Sequence, residues 1–395
     1  MYSRPSLTAV ISGEVSSVDQ IHIFPSKFLR DAGVTVFPSY RVNEINFPNK
    51  IVHARSVGAT GGNEQRHYGF NNIILATGSI PYVPKVGSDQ LKGVFTIRKF
   101  REAKLLSEFS SEGLVAHVIG AGFVGLEVAE ALAKRGIKVS LVVRSRILRL
   151  LVEEDLSERL TRRLEGHGVQ ARLGCCFEGV QGDRKVKAVI IDGQRHRSDM
   201  VVYATGVSPN VRLATETGIE VSTNGAITID NRMQTSLKGV YTAGDCCETL
   251  DFVSECKTYR PIGSVAADEG KIAGVNAVEG AEESRGTIRQ QYNKLFGTGV
   301  VSMGLSSEEA HSLGLKAKSF TMRVKSLQSE PFSLRKRENI MKMVVEQGSD
   351  RIIGWQSIGT REASFLSHYM FDCILNHRGI SEVAESGLKF DLQVE

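Results

Sequence analysis

Hydrophobic and polar positions in this 395-residue chain follow two periods, and the places where one gives way to the other mark its elements. Leu114 to Ile119 is an almost unbroken apolar run, as expected of a parallel strand buried on both faces. It runs into Gly120-Ala-Gly122-Phe-Val-Gly125. Val124, Val128 and Leu132 then recur at i, i+4 and i+8, one face of a helix. Lys138 to Val143 is a second such strand. Residues 20–56 alternate short strands (Ile21–Phe24, Val34–Phe37, Lys50–His53) with turn residues, around a helix predicted from Pro25 to Ala32. Asn72 to Ser79 reads as a buried strand ending in Ala76-Thr77-Gly78, and Met200 to Val207 repeats that ending at 204–206. Two copies of one strand ending predict two related βαβ-type units. A third strand, Gly239 to Asp245, ends in Gly244-Asp245, and Pro261 to Asn276 reads as a helix of small residues. From about residue 285 the pattern becomes α+β, with strands at Lys342–Glu346 and Arg351–Trp355 and a helix at Glu362–Asn376.

The glycine spacing carries chemistry. Gly120 permits a tight turn, Gly122 lets backbone approach a pyrophosphate, and Gly125 lets helix pack on strand. The helix that opens at Phe123 and Val124 then offers its N–H groups and dipole to phosphates. One strand later, an NAD site commonly ends in a carboxylate that binds the ribose 2′-hydroxyl. Here Val143 is followed by Arg144 and Arg146, which favours NADPH over NADH, because two guanidiniums can pair with a 2′-phosphate. Both arginines also fit a solvated surface loop, and Arg149 extends the basic run.

Composition narrows the classes. Hydrophobic content of 41%, charged content of 24% and a net charge of +5 are ordinary for a globular chain. No dense basic block argues for nucleic acid, and neither a signal peptide nor a long apolar run is visible. The cysteines stand at 175, 176, 246, 247, 256 and 373, without C-x-x-C, so a reducing, cytoplasmic setting is expected. Cys175 and Cys176 read as strand residues; Cys246 and Cys247 read as small core residues. No metal site is expected.

In this order, the elements resemble the two-dinucleotide-binding-domain flavoprotein reductases. These are the pyridine nucleotide-disulfide oxidoreductases, here closest to their NAD(P)H oxidase and rubredoxin reductase branch. The resemblance implies an α/β fold with two Rossmann-like domains and an α+β C-terminal dimerisation domain. The FAD domain would be split, 1–94 and 215–284, around an inserted NAD(P) domain at 95–214, with dimerisation through 285–395. It further implies that Arg4 and Pro5, in Tyr2-Ser-Arg-Pro-Ser-Leu7, lie along the flavin side. Val42 offers its backbone to the adenine, and Ala76, Thr77 and Gly78 contact FAD near its pyrophosphate. Asp245, after Gly244, accepts from a ribityl hydroxyl; Pro261, Gly263 and Ser264 face the isoalloxazine ring; Glu127 lies near the nicotinamide, and Gly206, in the strand ending that closes the nucleotide unit, is a further cofactor-binding position. Read alone, Asp245 also fits a helix cap, Ala-Thr-Gly an ordinary strand-to-loop turn, Glu127 a solvated first-turn glutamate, and the small-residue helix plain close packing.

Two departures from the family stand out. Members with a redox cysteine place it between Tyr2 and Leu7, and this sequence has no cysteine before 175. The family also opens with its own strand–G-x-G-x-x-G–helix for the ADP half of FAD, which has no counterpart ahead of Tyr2. Flanking strands left without that partner are expected to expose edges and apolar surface.

The expected activity is FAD-dependent NAD(P)H oxidation without a redox cysteine. Hydride passes to flavin, then electrons pass to oxygen, a small sulfur compound, a quinone or a redox protein. No acid–base catalytic residue is assigned. One alternative is a rubredoxin- or ferredoxin-type reductase, with the basic stretches Arg323–Lys325 and Arg335–Arg337 as a docking patch. Another is a non-catalytic NADP(H)-binding protein that has lost FAD. A homodimer is expected, with no nucleic-acid partner.

Overall fold

The structure, a computed structural model, describes residues 2–23, 26–57, 64–86, 91–278, 280–325, 338–359, 361–385 and 392–394. Two compact units result, each gathered from three stretches of chain. One comprises 1–3, 18–80 and 207–287; the other comprises 4–17, 81–206 and 288–395. The chain crosses between them at 80–81 and 206–207, whereas the sequence pattern put those boundaries at 94–95 and 214–215.

The larger unit is built on a five-stranded parallel sheet. Its order is Val94–Thr96, Met200–Tyr203, Val115–Ile119, Lys138–Val143, Gln170–Leu173. All four Met200–Tyr203 side chains are buried, as are five of the six in Lys138–Val143, so continuous apolar runs are the right signal for these strands. Helix Phe123–Ala133 packs against the strands on either side of the glycine loop. An antiparallel meander, Phe177–Gly182, Val186–Ile191 and Gln194–Arg197, closes a core with Ile119, Val142, Val189, Val201 and Tyr203.

The C-terminal part of this unit is a six-stranded antiparallel sheet. Its order is Gln290–Leu295, Thr298–Gly304, Ile352–Gly359, Glu338–Glu346, Ala317–Lys325, Leu392–Val394. Helix Arg361–Leu375 packs on the central strand Ile352–Gly359, every residue of which is buried. Trp355 lies fully buried on that strand, opposite Met303 and Met343, and its Nε1 donates to Ser367 Oγ at 3.2 Å. The proposed docking patch falls outside the described side chains, at both 323–325 and 335–337.

The smaller unit holds an antiparallel sheet of Tyr40–Asn46, Ile51–Ser56 and Gln65–Gly69, and a parallel pair, Ile73–Leu75 with Val240–Thr242. Among the described residues that pair is two-stranded, and Ile74 is exposed on it. Phe28, Val34, Val36 and Phe37 are likewise exposed in this unit. Helix Gly263–Asn276 packs on Val240–Thr242 and buries Val265, Glu269, Ala273 and Asn276, while the small residues Ala267 and Gly270 face outward.

Several local expectations are corrected. Val34–Phe37 is an irregular segment, not a strand; of the expected strand Ile21–Phe24, Ile21 ends a 3₁₀ turn, Val18–Ile21, His22 bridges to Tyr2, and residue 24 lies outside the described residues. Cys175 and Cys176 lie in the link between two strands. Helix Leu7–Ser12 packs on Phe100–Phe109 and Phe123–Ala133, in the nucleotide unit and not with the flavin-side residues. Arg135 anchors it by donating to the Ile11 carbonyl at 2.9 Å.

Trp355 supplies the largest buried side chain of the C-terminal sheet. Trp355→Ala is expected to lower unfolding stability by about 3–5 kcal/mol, and Trp355→Phe by less. Urea unfolding followed by circular dichroism measures both; a loss below about 1 kcal/mol for the alanine variant would show that the sheet does not depend on this side chain.

Candidate functional site

The glycine loop is shaped by contacts that only hydrogen permits. Gly120 has φ +104°, and a Cβ there would sit 2.4 Å from the Ala204 carbonyl oxygen. A Cβ on Gly125 would sit 2.1 Å from the Gly120 oxygen, so helix and strand meet backbone to backbone. Gly122 differs: nothing lies within 4 Å of where its Cβ would be. It is the N-cap of Phe123–Ala133 and gives that helix no side-chain hydrogen bond. An open face, an uncapped helix start and a positive dipole end together fit a pyrophosphate. Phe123 is buried, whereas Val124 is 48% exposed and so is not part of the helix's buried face with Val128 and Leu132.

Glu127 is half-buried one turn further on and accepts a hydrogen bond from Asn293 Nδ2. Burial pushes its carboxyl above the usual range, and the Asn293 bond opposes that rise. Asn293 comes from a strand 166 residues away in sequence, and no local pattern announces it.

At the end of the second strand, Val143 is buried and Arg144 is exposed. Arg146 does not stand beside it as a second phosphate ligand. Its guanidinium donates to the carbonyls of Val152 (2.7 Å) and Arg149 (2.6 Å) and pairs with Glu308 at 2.9 Å. Arg149 pairs with the other oxygen of Glu308. Of the three arginines read from the sequence, Arg144 alone makes no such bond among the described residues. Gly206 lies beyond the neighbouring strand at φ +102°, with open space on its Cα.

Most of the residues expected to hold the flavin fall in the smaller unit. Val42 lies beside a register shift in Tyr40–Asn46 and packs on that unit's core. Ala76 is exposed at the end of its strand; Thr77 Oγ1 donates to the Asn210 carbonyl at 2.6 Å, and Gly78 turns with φ +68°. Gly244 has φ +79°, and a Cβ there would press on Ala266 at 3.1 Å. Asp245 is buried and accepts from Ser79 Oγ at 3.0 Å, while Tyr259 donates to its carbonyl at 3.0 Å. Pro261, Gly263 and Ser264 are exposed around the uncapped start of helix Gly263–Asn276. A buried acceptor, a side-chain-free turn and an open helix start fit the ribityl and ring end of a flavin. Arg4 and Pro5 are exposed in the other unit. Cys246 and Cys247 are buried, as the core reading expects.

Beneath this site lies Glu269, which the sequence reading passed over. It is 2% exposed, and its Oε2 accepts from the Gly244 N–H at 2.8 Å, so it holds the turn that presents Asp245. Its signal was present: Glu269 sits between Val265 and Ala273 at i±4, a carboxylate on the buried face of the helix. Burial pushes its carboxyl up to about 7, and the Gly244 N–H opposes that rise. As pH climbs from about 4.5 to about 7, the unfolded chain releases this proton while the folded chain keeps it, so folding stability falls across that window. Glu269→Gln retains an acceptor for Gly244 without a charge. It is expected to be more stable than the parent by about 1–3 kcal/mol near pH 8 and equal to it near pH 4. Urea unfolding at the two pH values decides; a difference independent of pH would remove the titration of Glu269 as its cause.

With this geometry in hand, comparison with known proteins gives a consistent result. The model of the pyridine nucleotide-disulphide oxidoreductases matches residues 1–270, and that of their dimerisation domain matches 294–372. An NADH oxidase of Methanocaldococcus jannaschii is 29% identical over 363 residues, 91% of this chain and 79% of that protein. The structure of an NAD-dependent persulfide reductase from A. fulgidus superposes with a TM-score of 0.89 at 26% identity, covering 98% of this chain and 72% of that one. An engineered water-forming NADPH oxidase, bound to NADPH, shares the fold with a TM-score of 0.90 at 23% identity, covering 99% of this chain and 86% of that one. The glycine loop, the strand endings and the C-terminal sheet therefore belong together: this chain is a member of the pyridine nucleotide-disulphide oxidoreductase family.

Proposed function

We propose that this FAD-dependent NAD(P)H oxidoreductase prefers NADPH and delivers electrons to oxygen or a small sulfur acceptor without a redox cysteine. The single observation that carries the preference is the strand end at Val143, where no carboxylate is present and Arg144 is exposed. A carboxylate there would repel a 2′-phosphate; a guanidinium pairs with one. The engineered NADPH oxidase carries an aspartate-to-alanine change followed at once by changes to arginine and serine, and this chain reads Val143, Arg144, Ser145. The sequence has no cysteine before 175, which supports chemistry that does not pass through a thiolate.

FAD, when bound, supplies the two-electron acceptor for hydride and the donor to the final acceptor. The chain's own residues bind and orient. Gly120, Gly122 and Gly125 clear a path for a pyrophosphate, and the start of Phe123–Ala133 stabilises its charge. Asn293 holds the Glu127 carboxyl in place at the same helix. Ser79 and Glu269 fix Asp245 and Gly244, and the start of Gly263–Asn276 presents positive dipole to an electron-rich ring. The dimerisation-domain match supports a homodimer as the working form, and six cysteines without a C-x-x-C support a reducing, cytoplasmic setting.

Reconstitution tests the reading. The protein, incubated with FAD and freed of excess, is expected to carry a flavin absorption band and to oxidise NADPH with oxygen or polysulfide as acceptor. A colourless protein that binds NADPH but oxidises nothing would instead make it an NADP(H)-binding protein. In the active form, Arg144→Gln is expected to lower kcat/KM for NADPH by about tenfold or more while leaving NADH nearly unchanged. Equal losses with both nucleotides would refute the assignment of Arg144.

A further inference from the structure

A cavity of about 350 Å³ opens in the nucleotide unit at the opposite end of its sheet from the glycine loop. The loop follows the end of Val115–Ile119, whereas the cavity is lined at the starts of the parallel strands, by Val115, Lys138 and Gln170. His117, Ser140 and Gln170 are direct neighbours across three strands and form its floor. Arg172 lies two residues beyond Gln170 on the same face, and His196 and Arg197 approach from the last strand of the meander.

The lining is cationic. Lys138, Arg172 and Arg197 contribute charge, two histidines join them, and no carboxylate is among the lining residues. The nearby Asp199 is held by the Val115 N–H at 3.0 Å and lies 3.5 Å from Arg197. Arg172 Nε is buried without a hydrogen-bond partner among the described residues. His117 Nδ1 donates to Ser198 Oγ at 3.0 Å, because that hydroxyl already donates to the Met200 carbonyl at 2.8 Å. Its ring is therefore oriented with Nε2 as the other polar atom, and His196 stands 6.5 Å away, ring to ring. Burial first, and then the charges of Arg172 and His196, hold His117 down to about 4.

We propose that this cavity binds a phosphate group, free or on a small metabolite, with Arg172 and His196 as its principal ligands and Lys138 and Arg197 at its mouth. Size and charge agree. The cavity lies in the range of small-ligand sites. Its walls offer planar and point-like cations to a compact dianion, and Val115 leaves apolar surface for a short carbon skeleton. The site is separate from the dinucleotide loop, which uses backbone and helix dipole instead of side-chain charge.

Histidine-selective NMR of the full-length protein tests this, with His196→Asn used to assign the His196 signal. Inorganic phosphate and ribose 5-phosphate are titrated in turn. Both are expected to move the His117 and His196 signals saturably. Tighter binding of the sugar phosphate identifies an esterified ligand, and equal binding identifies the free ion. Arg172→Gln is expected to weaken the response by about tenfold or more, and Arg144→Gln to leave it unchanged. Should Arg172→Gln fail to fold, the exposed pair Lys138→Gln with Arg197→Gln carries the same expectation. Signals that do not move with either probe, or that move equally in the charge-removal variants, overturn the proposal.

Discussion

Three pieces of backbone meet in the nucleotide unit where no side chain fits, and most of its architecture follows from that contact. Gly125 rests on Gly120 and Gly120 rests on Ala204, each at a distance a Cβ would forbid. Ala204 ends the strand Met200–Tyr203, so the contact requires that strand to lie beside Val115–Ile119, as its parallel register confirms. Helix Phe123–Ala133 is thereby drawn onto the strand ends with its first turn facing outward at Gly122. The proposed anion site is thus a consequence of close packing: the same absence of side chains that lets helix and strand touch also leaves open space at Gly122.

The repeated Ala-Thr-Gly is a second device of the same economy. At 76–78, Thr77 Oγ1 donates to the Asn210 carbonyl at 2.6 Å, and the Asn210 N–H returns a bond to Gly78 at 2.9 Å. At 204–206, Thr205 Oγ1 donates to the Tyr82 carbonyl at 2.6 Å, and the Tyr82 N–H returns a bond to Gly206 at 3.0 Å. Both glycines take positive φ. Each copy satisfies the polar groups of a segment leaving a parallel strand, and each does so within its own unit. A repeated tripeptide in the sequence therefore corresponds to a repeated hydrogen-bond arrangement, which is why it was a sound guide to duplicated architecture.

Legibility ended where a pattern has two structural solutions or depends on a distant partner. Apolar runs such as Lys138–Val143 were read to the residue, because burial on both faces leaves them no other use. Val34–Phe37 has strand composition but no strand to pair with among the described residues, and β-propensity without a ladder does not make a strand. Leu7–Ser12 falls within the expected 1–94 FAD segment, yet the helix that buries Leu7, Val10 and Ile11 packs on two helices of the nucleotide unit. Glu269 was legible and passed over: a carboxylate on the buried face of a helix signals a specific acceptor role.

The arginines show why the site was harder to read than the fold. Arg144, Arg146 and Arg149 are equivalent in sequence, three cations after one strand. Tertiary pairing separates them. Glu308, from the C-terminal part of the same unit, takes Arg146 and Arg149 on its two oxygens, and the Val152 carbonyl fixes Arg146 further. Arg146 is a fifth exposed, so little water competes for its bonds, and moving it to a ligand would strand Glu308 beside fewer charges. Arg144 has no such claim on it among the described residues. The proposed NADPH preference therefore rests on which cation the rest of the unit leaves over, and a residue more than a hundred and fifty positions away separates Arg146 from Arg144.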